Sequence, residues 1–112
     1  MSYSSYTPKC VMITGATGGF GEAFARRFAA VGARLVLHGR NAEKLNKLAE
    51  TFDVPVHSLV FDLKNKDDTI AQIEDIPEEF QQVDVLVNNA GGALGLDKAH
   101  EANLQDLSLI HI

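Results

Sequence analysis

Short apolar runs alternate with longer amphipathic segments along this chain, and that alternation constrains the fold more than any other feature. Runs this short and this apolar predict strands buried on both faces, whereas apolar residues spaced three or four apart predict helices. Short connections between them predict right-handed crossovers and an α/β fold, a doubly wound parallel sheet with helices on both faces. The predicted strands are Cys10–Thr14, Arg34–His38, Val56–Phe61 and Val83–Val87.

The segments between these strands predict three helices that turn an apolar stripe towards the core. The first is expected to end near Gly32, and the second to span Ala42–Phe52. The residues expected in the core are Phe20, Phe24, Phe28 and Val31 in the first helix, Leu45, Leu48 and Phe52 in the second, and Ile70, Ile73 and Ile76 in the third.

Composition excludes several classes of protein. The formal net charge of -5 leaves no basic surface for nucleic acid or an anionic membrane. The single cysteine, Cys10, excludes an internal disulfide. The chain shows neither a signal peptide nor an apolar stretch long enough to span a bilayer, so we expect a cytoplasmic protein.

The four histidines, His38, His57, His100 and His111, lack the spacing of metal ligands. We therefore expect each of them to be satisfied or exposed rather than to bind a metal ion.

Loops that follow the predicted strands carry the residues suited to ligand binding. In doubly wound sheets, ligands bind beyond the carboxyl ends of the strands. We expect four loops to converge there: Gly15–Gly21, Gly39–Asn41, Asp62–Leu63 and Asn88–Gly92.

The first of these loops has the chemistry of a phosphate site. Its glycines let the backbone turn tightly, and the N–H groups at the start of the next helix favour an anion. It matches neither G-x-G-x-x-G nor the lysine-containing loop of nucleotide triphosphatases. Alone, such a turn is also compatible with a purely structural role.

Two motifs together resemble the short-chain dehydrogenase/reductase family. They are T-G-x-x-x-G-x-G at Thr14–Gly21 and N-N-A-G at Asn88–Gly91, and the resemblance extends from about Lys9 to Asp106. It implies a Rossmann-type sheet and leaves Asn88 open between cofactor contact and a scaffolding role. The cofactor contacts that it implies in these two motifs are Gly15, Ala16, Thr17, Gly18, Gly19, Phe20, Gly21, Asn89, Ala90 and Gly91.

The second loop indicates which dinucleotide is bound. NAD-binding folds usually hold the ribose with a carboxylate at the end of the second strand, but here Gly39 stands there, followed by Arg40 and Asn41. An arginine suits a 2′-phosphate, so NADP(H) is favoured over NAD(H). The alternative is that Arg40 is only a solvated surface charge.

The third loop has a role implied by the resemblance. Asp62 occupies the family position whose carboxylate accepts a hydrogen bond from the adenine amino group, with the backbone of Leu63 beside it.

The segment Gly91–His100 resembles the corresponding loop of NADP-dependent 3-hydroxy acid dehydrogenases of the serine dehydrogenase type. Phe20 in the first loop fits the same subgroup, because many other relatives carry isoleucine there. The resemblance implies hydride transfer between NADP(H) and a small 3-hydroxy acid or a similar alcohol or carbonyl substrate. It also implies that the full-length protein is a homo-oligomer.

The catalytic residues of the family find no counterpart in this chain. In the family, the acid/base tyrosine is followed four positions later by a lysine. In this chain, Tyr3 and Tyr6 are followed four positions later by Thr7 and Cys10. We therefore expect an N-terminal fragment in which the fourth strand is an open edge. A non-catalytic NADPH-sensing module is the alternative. For the chain as given we expect the third possibility, an incomplete polypeptide that binds NADPH weakly, aggregates and shows no turnover.

We expect three segments along the chain. Residues 1–8 form a disordered arm, and residues 9–106 form the N-terminal half of the cofactor-binding domain. Residues 107–112, LSLIHI, resemble the translation of a transposon end used as a sequencing adaptor, and we expect them to be a non-native tail.

Overall fold

A computed structural model describes residues 8–62 and 64–89, together with the backbone of residues 108–111. They form a five-stranded sheet in the order β3-β2-β1-β4-β5, in which every neighbouring pair is parallel. The strands are β1 (Cys10–Thr14), β2 (Arg34–Gly39), β3 (Val56–Val60), β4 (Val85–Asn88) and β5 (Ser108–His111), and the helices are α1 (Gly19–Ala30), α2 (Ala42–Ala49) and α3 (Lys66–Glu74).

Both faces of the sheet are buried along β1, β2 and β4, as the continuous apolar runs predict. Alternate side chains of each central strand point to opposite faces. One face packs against α1 and α2 and the other against α3, so the doubly wound α/β class is confirmed. In β1, for example, Val11 and Ile13 join the cluster with Ala25 and Leu45, whereas Met12 joins the cluster with Ile73.

Helix α1 contacts the sheet differently from the prediction. Phe20 is 68% exposed and Val31 is 54% exposed, so the expectation that both lie in the core is wrong. The buried residues of α1 are Gly21 and Ala25, and the two phenylalanines between Phe20 and Val31 are only partly buried. Small residues bring the helix axis close to the strands, which leaves larger side chains at the flanks of the contact.

Side-chain caps define where α2 and α3 begin. The Asn41 side chain accepts a hydrogen bond from the Lys44 N–H at 3.1 Å, and Asn65 accepts one from the Asp68 N–H at 3.0 Å. Helix α2 ends at Ala49, three residues before the predicted end. A single 3₁₀ turn, residues 78–80, precedes β4.

The fourth strand is not the edge of the sheet. Strand β5 pairs with β4 in parallel, with Val85 opposite Ser108 and Asn88 opposite His111. The prediction of an open edge at the fourth strand is therefore wrong. The physical reason is that the backbone groups of β4 on this side have a hydrogen-bonding partner strand in residues 108–111.

No helix among the described residues is both long enough and apolar enough to cross a membrane.

Candidate cofactor site

The four strand-end loops meet at one edge of the sheet because the strands are parallel. At that edge Thr14 of β1 lies opposite Asn88 of β4, and Gly39 of β2 lies opposite Val60 of β3. Backbone hydrogen bonds continue the connections beyond the strands: the Ala16 N–H donates to the His38 carbonyl at 2.8 Å. The convergence expected from the sequence is present in the described residues.

Gly15 is held in place by hydrogen bonds to both its N–H and its carbonyl group. Its φ of 62° lies in the left-handed region that favours glycine. Its N–H donates to Nδ1 of His38 at 3.2 Å. Its carbonyl accepts hydrogen bonds from the Gly18 N–H at 3.1 Å and from Nδ2 of Asn89 at 3.0 Å. The Gly15 residue is therefore held from the second and fourth strands at once.

Two glycines of this loop have opposite surroundings: Gly21 is in close contact with the backbone, and Gly19 faces open space. A Cβ on Gly21 would lie 2.8 Å from Cα of Ala16 and still closer to the carbonyl oxygen of Gly15, so Gly21 allows the helix to pack on the loop. A Cβ on Gly19 would meet no described atom within 4 Å. Gly19 therefore lies on an open side of the loop, where a ligand can approach the backbone.

The start of α1 supplies hydrogen-bond donors on that open side. The helix begins at Gly19, and the N–H groups of Gly19, Phe20 and Gly21 have no acceptor inside the helix. These N–H groups lie at the positive end of the helix dipole, which favours binding of an anion. Ala16 is fully buried and Thr17 is half-buried, so within the first part of the loop the exposed surface begins at Gly18.

The second loop, at the same edge of the sheet, carries an exposed cation. Arg40 is exposed, and among the described residues it makes neither an ion pair nor a hydrogen bond. Gly39 is buried, and a Cβ there would lie 3.7 Å from Cγ2 of Thr17. Asn41 is exposed, with its side-chain oxygen engaged by the Lys44 N–H. The end of β2 therefore presents a guanidinium and no carboxylate.

The third loop presents a carboxylate. Asp62 is exposed, and its Oδ1 accepts a hydrogen bond from the Lys64 N–H at 2.9 Å. Leu63 lies outside the described residues, as do Ala90 and Gly91 of the fourth loop.

The two asparagines of the fourth loop have different environments. Asn88 is 2% exposed, and its Oδ1 lies 3.1 Å from Oγ1 of Thr14 on the neighbouring strand. This position supports the scaffolding alternative for Asn88. Asn89 is half-buried and contacts the Gly15 carbonyl, so its side chain shapes the glycine loop directly.

His38 is the site residue that sequence reasoning missed. It is 2% exposed, and besides accepting from Gly15 its Nε2 lies 2.8 Å from the carbonyl oxygen of Phe61. Burial lowers the pKa of His38 below 6.5, against the opposite effects of the Phe61 carbonyl and Asp62. The available signal was its position, as the polar residue directly before Gly39 at the end of an apolar strand.

No group of three or more His, Cys, Asp or Glu side chains in the described part of the chain could hold a metal ion.

The fold and the loop together define a dinucleotide-binding class of α/β protein. A parallel sheet with β1 at the centre, a glycine turn and a helix N-terminus beyond it form the arrangement that holds a diphosphate in such folds. Residues 9–110 match the family described as short chain dehydrogenase, and the chain belongs to that family.

Three curated relatives show what this chain is similar to. It is 47% identical over 98 residues to sulfoacetaldehyde reductase 2 of Chromohalobacter salexigens, covering 86% of this chain and 39% of that protein. It is 43% identical over 96 residues to serine 3-dehydrogenase of Agrobacterium fabrum, with the same coverage of 86% and 39%. It is 41% identical over 96 residues to the NADP-dependent 3-hydroxy acid dehydrogenase YdfG of Salmonella typhi, again covering 86% and 39%. The chain therefore spans about two fifths of the length of these relatives.

A solved structure agrees with these similarities. L-sorbose reductase from Gluconobacter frateurii, complexed with NADPH and L-sorbose, superposes with a TM-score of 0.67 at 36% identity. The match covers 75% of this chain and 34% of that one.

Proposed function

We propose that this chain is the NADP(H)-binding part of a short-chain oxidoreductase whose substrate is a small 3-hydroxy acid or a similar alcohol or carbonyl compound. The observation that carries the proposal is the exposed Arg40 at the end of β2, which makes no ion pair or hydrogen bond among the described residues and follows Gly39, where NAD-binding folds usually carry a carboxylate. The names of NADP-dependent and NADPH-bound relatives support the same choice of cofactor.

The described residues fit such a cofactor. The open side of Gly19 and the N–H groups of Gly19 and Phe20 would receive the diphosphate. Arg40 would pair its guanidinium with the 2′-phosphate, and Asp62 would accept a hydrogen bond from the adenine amino group. Bound NADPH supplies a hydride for carbonyl reduction.

The described residues bind and orient rather than catalyse. Asn89 holds the Gly15 carbonyl and His38 holds the Gly15 N–H, so contacts within the chain fix the turn that would receive the diphosphate. The two tyrosines, Tyr3 and Tyr6, are followed four positions later by Thr7 and Cys10 rather than by the family's lysine. We therefore propose that this chain by itself binds NADPH without turning over a substrate.

Arg40→Glu tests the cofactor assignment. Dissociation constants for NADPH and NADH would be measured on the purified chain by ligand-observed NMR, which detects weak complexes. A charged hydrogen bond contributes roughly 1.5–3 kcal/mol, so NADPH affinity should fall about 10- to 100-fold while NADH affinity changes little.

Arg34→Glu is the control for the change of charge, because it lies at the opposite end of the same strand. It also removes the hydrogen bond from Nη1 of Arg34 to the Glu79 carbonyl, so a melting curve is recorded for both variants. Residues 34 and 40 are about 20 Å apart along an extended strand, beyond the Debye length at ordinary salt. The control should keep the preference for NADPH over NADH. Equal losses of both cofactors in Arg40→Glu, or no saturable NADPH binding by the parent chain, would contradict the proposal.

A further inference from the structure

His38 connects three of the four loops at the edge of the sheet. Its ring lies 2% exposed at the end of β2, with Nδ1 3.2 Å from the Gly15 nitrogen and Nε2 2.8 Å from the Phe61 carbonyl oxygen. Its ring centroid also lies 4.5 Å from that of Phe61. Its backbone carbonyl accepts from the Ala16 N–H. No other described side chain hydrogen-bonds both the glycine loop and the end of β3.

These partners determine the protonation state of the ring. The Gly15 N–H can only donate, so Nδ1 must be an unprotonated acceptor. The Phe61 carbonyl can only accept, so Nε2 must carry the hydrogen. Both hydrogen bonds therefore require the neutral ring with its proton on Nε2. A proton added at Nδ1 would face the Gly15 N–H and break that bond.

The two backbone polar groups of Gly15 have different hydrogen-bond partners. Its carbonyl is held by Asn89 and Gly18, but its N–H is held by His38. An unpaired, partly buried N–H costs free energy, and the backbone can remove that cost by rotating away from the turn. Rotation would displace the peptides that lead to the open side at Gly19.

We propose that His38 is a positioning residue for the cofactor loop, which by accepting the Gly15 N–H and donating to the Phe61 carbonyl keeps the turn in its ligand-binding form. This inference rests on the proposed function, because it concerns the affinity of the same site for NADPH. His38 does not touch the cofactor in this role.

Acid weakens this arrangement. Burial opposes protonation of His38, so its pKa lies below the ordinary 6.5. The charged groups that act on the ring are Asp62, beyond β3, which favours protonation, and Arg40, beyond β2, which opposes it. The loop Gly15–Gly21 itself contains no ionisable side chain. Protonation of His38 at low pH should therefore lower NADPH affinity.

Two amide variants separate the two hydrogen bonds of the ring. In His38→Asn, the amide oxygen can occupy the place of Nδ1 and accept from Gly15, while the bond to Phe61 is lost. In His38→Gln, the longer side chain can donate to the Phe61 carbonyl from the place of Nε2, while the acceptor for Gly15 is lost. Neither amide titrates.

NADPH dissociation constants and melting temperatures without ligand would be measured for the parent chain and both variants, at about pH 8 and at decreasing pH. At the higher pH, both variants should bind NADPH more weakly than the parent. The loss should be roughly tenfold for His38→Gln and smaller for His38→Asn, which keeps the acceptor for the Gly15 N–H. As the pH falls, the affinity of the parent should decrease more steeply than that of His38→Asn. The 2′-phosphate of the ligand also titrates near pH 6, but that contribution is common to both proteins.

If His38 only stabilised the fold, the two variants would lose affinity equally, because each loses one of the two hydrogen bonds. Equal losses of affinity in the two variants, or identical pH profiles for the parent and His38→Asn, would overturn the inference. If the parent chain itself shows no saturable NADPH binding, the proposed function fails. If the parent binds and the variants do not differ, only the role of His38 fails.

Discussion

Replacing Gly21 with alanine tests the close contact between α1 and the glycine loop. The added Cβ would lie 2.8 Å from Cα of Ala16 and nearer still to the Gly15 carbonyl oxygen. These are backbone atoms, which cannot move aside as the end of a flexible side chain can. Overpacking costs about 1–3 kcal/mol and sometimes more, and the rigid neighbours favour the upper end of that range.

Alanine is also the better helix former by about 1 kcal/mol, so the net loss in unfolding free energy for Gly21→Ala is about 2 kcal/mol. For a domain of this size, that lowers the melting temperature by roughly 10 °C. The measurement is thermal and urea unfolding followed by circular dichroism at neutral pH.

Gly19→Ala is the matched control in the same helix turn. A Cβ at Gly19 would meet no described atom within 4 Å, so the unfolding free energy should not fall and can rise by up to about 1 kcal/mol through helix propensity. The same Cβ would occupy the open side proposed for the diphosphate, so NADPH affinity should fall. A Gly21→Ala chain as stable as the parent, or a Gly19→Ala chain that is the less stable of the two, would refute the reasoning.

Two further predictions concern stability. Asn41→Ala and Asn65→Ala each remove a helix cap and should each lower the unfolding free energy by about 1 kcal/mol in urea titrations; a loss confined to one of them would contradict the assigned caps. Because the pKa of His38 is lowered by burial, the unfolded chain takes up a proton below pH 6.5 that the folded chain does not. The unfolding free energy should therefore fall as the pH drops from 6.5 to the folded-state pKa, by at most about 1.4 kcal/mol per pH unit for this group. His38→Asn should reduce that slope, and a slope unchanged by the substitution would show that His38 is not its source.

Elements that depend on local pattern were predictable. The strand at Cys10–Thr14 follows from its apolar run, and the first helix ends at Ala30, close to the predicted Gly32. The family motifs also placed the loops on the correct strand ends, because a parallel sheet brings all carboxyl ends to one edge. The predicted end of α2 was less accurate, because no glycine follows Ala49 to mark where the helix ends.

Burial within an element was harder to predict. A helical stripe of large apolar residues usually indicates the core, yet α1 contacts the sheet through Gly21 and Ala25 and leaves Phe20 and Val31 exposed. The contact is made by small residues, and periodicity does not show which residues of a helix touch the sheet.

The sequence by itself determined the doubly wound class, the membership of the short-chain dehydrogenase family and the positions of its glycine and asparagine motifs. Only the tertiary structure decided that β4 has a neighbour in residues 108–111 and that His38 hydrogen-bonds the Gly15 backbone. The physical reason is the separation of the contacts along the sequence. Periodicity and motifs reflect interactions within a few residues, whereas strand pairing and the hydrogen bonds of His38 join segments more than twenty positions apart. Those long-range contacts depend on how the strands pack side by side.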